Sequence, residues 1–265
     1  LPPGDAGVKY KGIELHIRLY SFDHINDSLE KLNIRSQSLL YEISDCGVRV
    51  FSRKNPGILP ESGHPINQVR ESLFYRIKAI VYHVNILINQ RKSINDEIVE
   101  HFKNGDANPI SIERLIIHQY YLFDDIIFNL LSMFDYISAM LGFMFDNRYY
   151  KWNSLVRSAR NNSTTIGKEN FSKEIVKLHS TWVDTLLDYR SDLIHKSPKF
   201  GEDTINKGGF KRKIPDFTII RVDPKMTKII QKFAGDIDQI DIIDCSIVLC
   251  TYSFAACNDL LLQVK

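Results

Sequence analysis

IIHQYYLFDDIIFNLLSMFDYISAMLGFM, residues 116–144, decides the fold. Within it Ile116, Tyr120, Phe123, Ile127, Leu130, Phe134, Ile137, Leu141 and Met144 recur in steps of four and three. Positions held in one register this long describe the buried face of a long bundle helix. Ser111 and Arg114 open it. The stretch 126–145 is long enough to cross a bilayer, but Asp135 sits at its middle. A lone acid in hydrocarbon is costly, so the expectation is a buried helix of a soluble bundle, with no membrane partner.

Working outward, three further segments repeat the pattern. From Ile66 to Gln90, Leu73, Ile77, Ile80, Val84 and Leu87 share a face, and the helix is expected to continue through Asn95 to Phe102 before the turn KNGDANP. From Phe171 to Pro198 the face is Phe171, Ile175, Leu178, Trp182, Leu186, Tyr189 and Leu193. From Asp241 onward it is Ile243, Ile247, Cys250, Phe254, Cys257 and Leu261. A shorter helix is expected around Trp152 to Arg160, followed by the polar loop NNSTTIGK.

The N-terminal part reads differently. Gly12 to Tyr20 alternates apolar and polar residues, which predicts a half-buried strand. Ser21 and Asp23 cap a helix to about Ile43, Gly47 to Ser52 reads as a short strand, and NPGILPESGHP (55–65) as a linker. Phe217 to Val222 is a further short strand, expected to pair with Gly12 to Tyr20. The fold class is therefore mainly α: an antiparallel helical bundle of four or five long helices with a small β element. Residues 1–60 form an N-terminal strand and helix extension, and residues 61–265 the bundle.

Composition narrows the class of function. The chain has 265 residues, 44% hydrophobic and 25% charged, enough to bury a core without disulfide or metal staples. A net charge of +2 neither demands nor excludes a polyanionic partner. Cys46, Cys245, Cys250 and Cys257 form no CxxC pair, and three of them lie in one apolar helical stretch. That use of cysteine, with a start (LPPGDAG) that lacks the basic-then-apolar order of a secretion signal, points to the cytoplasm. No phosphate loop, GxSxG, HExxH or dinucleotide fingerprint is present, and no cofactor is expected.

The chemistry sits late in the third long helix, DYRSDLIH (188–195), where Arg190 and His195 are separated by four residues. A histidine titrates near neutrality and can move a proton, and an arginine stays charged and grips phosphate. Cleavage of RNA by its own 2′-hydroxyl needs both: a proton taken from that hydroxyl, a proton given to the leaving oxygen, and relief of charge on the phosphoryl group. Residues five apart on one helix stand about 140° from each other. They meet only where the helix unwinds at Ile194 or where a second copy contributes. The plainer reading is that Asp184, Asp188, Ser191 and His195, spaced four, three and four, form a solvated stripe. The same stripe offers possible metal ligands, but nothing else supports a metal, and none is expected. Arg76 and His83 form a second pair of similar spacing on the earlier helix.

The arginine, four intervening residues and histidine, placed late in a bundle helix, resemble the HEPN superfamily over roughly residues 111–265. The residue after the arginine, commonly Asn, Asp or His there, is Ser191 here. The resemblance implies a metal-independent endoribonuclease, a toxin or defence protein, acting as a homodimer with a shared cleft. Arg190 and His195 would be its catalytic residues, and an antitoxin or other protein its further partner. Tyr189 and Ser191 flank the arginine, and Asp135, on nearly the same face as Asp124, is a candidate to orient it. RNA is the expected partner. Residues 148–168 carry Arg157 and Arg160 with interleaved aromatics and no acid, and the segment 196–213 carries Lys196 and Lys199. The alternative is a non-catalytic helical module that binds a nucleotide or a protein.

Overall fold

The computed structural model describes residues 6–10, 13–17, 22–58, 61, 63–104, 109–145, 150–195, 222–234 and 240–264. The protein is mainly α, helix packed on helix. Its helices are α1 (Phe22–Lys54), α2 (Pro65–Asn104), α3 (Pro109–Met144), α4 (Trp152–Ala159), α5 (Ser172–Leu178), α6 (Asp184–His195), α7 (Pro224–Ala234) and α8 (Ile242–Leu262). Two five-residue strands, β1 (Ala6–Tyr10) and β2 (Ile13–Ile17), pair antiparallel with Ala6 opposite Ile17. Of Phe217 to Val222 only Val222 is described, and its N–H donates to the carbonyl of Ile240.

Two expectations for the N-terminal part are corrected. The first helix does not stop near Ile43, and Gly47 to Ser52 is its last part rather than a strand. Leu32, Ser36, Leu39, Ile43, Cys46 and Val50 recur in steps of four and three, and all are buried. Arg49 reaches back along the same helix to Asp45 and Glu42, a pairing that only helical spacing allows. Burial on one face thus overrides the β preference of Val48, Val50 and Phe51.

The chain divides into two compact units. The first comprises Leu1–Glu30, Tyr82–Ile127 and Asp188–Leu249. Its core holds Val84, Leu87, Phe123, Ile127, Met226, Ile229, Ile243 and Ile247, all buried. Inside it the guanidinium of Arg91, with no exposure, donates 2.8 Å to Asp241 and 3.3 Å to Gln119. Asp241 also accepts the N–H of Ile243 and so starts α8. Removing one partner from a buried pair of this kind costs about 3–5 kcal/mol. Burial and the neighbouring Asp241 push the Asp244 carboxyl up to about 8.

The second unit comprises Lys31–Val81, Phe128–Leu187 and Cys250–Lys265. Residues 31–60 therefore belong with residues 128–187. Leu73, Ile77 and Ile80 of α2, Leu130, Phe134, Ile137 and Leu141 of α3, and Phe254, Cys257 and Leu261 of α8 form its core. Phe134 lies edge-on between Trp152 and Trp182, with ring centroids 5.0 and 5.5 Å away. All four cysteines are buried and none forms a disulfide, and burial holds the thiols of Cys46, Cys250 and Cys257 well above the usual range. Ile117–Phe143 and Ile242–Leu262 are long and apolar enough to cross a membrane, and 67% and 83% of their most apolar stretches are buried in the fold.

Candidate functional site

Arg190 and His195 occupy the last turns of α6, which stays helical through Ile194. The unwinding that would swing the two positions together within one chain is not there. The helical repeat keeps them about 140° apart around the axis. The side chain of His195, and all of Lys196 and Lys199, lie outside the described residues.

Tyr189, one residue before the arginine, is what fixes this end of α6. Its ring is buried and meets Phe123 of α3 at 6.2 Å. Its hydroxyl donates to Asp124 at 3.1 Å. Burial raises the Asp124 carboxyl to about 6, the hydrogen bond from Tyr189 works the other way, and Asp125 adds to the rise. Burial also raises the Tyr189 phenol, so it remains a donor. Next to this anchored tyrosine, Arg190 is half-buried and Ser191 is exposed. Asp184 and Asp188 are exposed, as a solvated stripe requires, and Asp192 pairs with Lys225 of α7. Asp223 and Pro224 start α7, which sequence reading missed: Asp223 accepts the Lys225 N–H, and proline fits the first turn.

The other expected residues belong to the second unit. Asp135 accepts the backbone N–H of Trp152 at 2.8 Å, which places its carboxylate at the start of α4. Arg157 and Arg160 are exposed on α4 and just beyond it. Near them is a histidine that sequence reading passed over. Between α5 and α6 the helix widens into a π turn, His179–Val183. The extra residue in that turn places His179, Trp182 and Val183 all inside. The His179 Nε2 is 3.5 Å from an Asp184 oxygen. Burial lowers its pKa, Asp184 raises it and the charge of Arg160 lowers it.

The second Arg–His pair is split between units, Arg76 in the second and His83 in the first. Among the described residues no three His, Cys, Asp or Glu side chains are grouped to hold a metal ion. No protein-family model, curated protein or solved structure matches the chain.

Proposed function

We propose that the chain is an HEPN-like, metal-independent endoribonuclease of the cytoplasm, of toxin or defence type, that works as a homodimer. The observation that supports this best is the anchoring of Tyr189 to Asp124, beside the half-buried Arg190 late in α6. Anchoring the helix backbone beside Arg190 favours preorganisation toward a phosphate, which is where electrostatic catalysis gains most. Arg190 binds the scissile phosphate and offsets the charge that develops on it. His195 takes the 2′-hydroxyl proton, and the 5′-oxygen leaves as it gains a proton, giving a cyclic phosphate and a free 5′-hydroxyl. Because α6 is unbroken through Ile194, Arg190 of one copy works with His195 of the other. Lys196 and Lys199, which follow α6 in sequence, would contact the strand, and the exposed Arg157 and Arg160 of the second unit are further candidates for phosphate contact.

The test is cleavage of single-stranded RNA in excess chelator. The wild-type chain is expected to cut, and His195→Ala to lose cutting by a factor of at least about 10² with its melting temperature unchanged. Undiminished cutting by His195→Ala overturns the reading. Absence of cutting by the wild-type chain favours the non-catalytic binding module instead.

A further inference from the structure

In the second unit a cavity of about 820 Å³ runs along the seam between α2 and α3 and meets the end of α1. That volume lies in the range of small-molecule sites. Two contacts mark its length. At one end Arg76 donates to Asn129 at 2.9 Å, and at the other the His64 ring meets Phe143 with centroids 6.4 Å apart. Twelve residues, about 18 Å of helix, separate His64 from Arg76. The space exists because Ser72, Ser132 and Ala139 are small, while their neighbours Leu73, Phe134 and Ile137 fill the core.

The two ends differ in chemistry. At the His64 end the deep lining is apolar: Val50 and Phe51 of α1 and Ile66 of α2 are buried, and Val69, Ala139 and Phe143 continue the surface. The polar groups there are occupied or at the rim. His64 Nδ1 accepts the N–H of Ile66 at 3.2 Å, the Asn55 amide donates to the Phe51 carbonyl, and Gln68 is exposed. At the other end stand Ser72, Ser132 and the half-buried Arg76. Arg76 uses one N–H on Asn129, and its guanidinium lies 5.5 Å from the centre of the Tyr75 ring. Among the described residues no carboxylate pairs with it. Asp135, the acid in the lining, sits six residues past Asn129, about 9 Å of helix, and accepts the Trp152 N–H. A half-buried guanidinium with N–H groups to spare suits one carboxylate, which it grips bidentately.

We infer that this cavity binds a fatty acid, its carboxylate on Arg76 and its chain laid along the seam toward Phe51 and Phe143. At about 1.3 Å per bond, an extended chain of roughly twelve carbons spans most of the distance from Arg76 to His64. One end of the ligand is specified by charge and the other by the apolar surface it covers. The inference does not rest on the ribonuclease reading, since Arg190 and His195 belong to the first unit.

Calorimetric titration of the full chain with octanoate, decanoate, dodecanoate and decanol, all below micelle-forming concentration, tests it. Dodecanoate is expected to saturate one site per chain at micromolar concentration. Each methylene removed should weaken binding roughly fourfold, so octanoate should be at least about a hundredfold weaker. Decanol, the uncharged counterpart of decanoate, should be at least tenfold weaker than it. Arg76→Gln is expected to weaken decanoate at least tenfold and leave decanol within twofold, a split that a merely structural arginine would not produce. Ala139→Leu fills the seam with a residue its helix tolerates, is expected to abolish binding of both, and decides the matter with the length series should Arg76→Gln fail to fold. No saturation by dodecanoate overturns the inference. So do equal affinities for decanoate and decanol, equal losses of both in Arg76→Gln, or binding that survives Ala139→Leu.

Discussion

At the scale of single residues, Asp124 and Tyr189 behave as one group. A half-buried carboxyl raised to about 6 by burial binds its proton more tightly in the folded chain than in the unfolded one, where it titrates near 4. Its contribution to stability is therefore complete below about pH 4 and is lost as pH rises through 6. Asp124→Asn cannot titrate, and its amide oxygen still accepts from Tyr189. Relative to the wild type, this variant should gain on the order of 1 kcal/mol between pH 4 and pH 7, allowing for residual solvent screening. Urea denaturation at each pH measures the difference, and a gap that does not change with pH contradicts the assignment. The sequence made Arg190 visible as a candidate through its spacing to His195 late in a bundle helix, Tyr189 as a member of that helix's apolar face beside it, and Asp135 as an acid in the most apolar helix. The link between Tyr189 and Asp124 joins positions 65 residues apart, and no local pattern encodes it.

At the scale of elements, the apolar registers were legible. Leu73 to Leu87, Tyr120 to Leu141 and Ile243 to Leu261 all became buried faces, because each helix places one stripe against its neighbours. Where local preference and burial disagreed, burial prevailed, as at Gly47 to Ser52. The π turn at His179–Val183 stayed hidden because one extra residue barely disturbs an apolar count. The loop after α4 depends on a single close approach. Thr164 Oγ1 accepts the Gly167 N–H at 2.9 Å, and a Cβ at Gly167 would stand 2.0 Å from the Asn161 carbonyl oxygen. Gly167→Ala is accordingly expected to cost roughly 2–4 kcal/mol, a value that overpacking against rigid backbone reaches. A melting temperature within one degree of wild type would show that this loop gives way freely.

At the scale of the whole molecule, the proposed activity depends on a second copy. One chain holds Arg190 and position 195 about 140° apart on an intact helix, too far around the axis to serve one phosphate. In the proposed dimer, two-fold pairing of α6 ends would bring the arginine of each copy to the histidine of the other, and a symmetric dimer would then carry two such sites. Complementation measures this directly. Arg190→Ala and His195→Ala chains, each inactive alone, are unfolded together, refolded as a mixture and assayed on RNA. Half of the dimers are then mixed, and each mixed dimer has one site with both residues intact, so about a quarter of wild-type cleavage should return. A mixture as inactive as either parent contradicts a site shared between two copies.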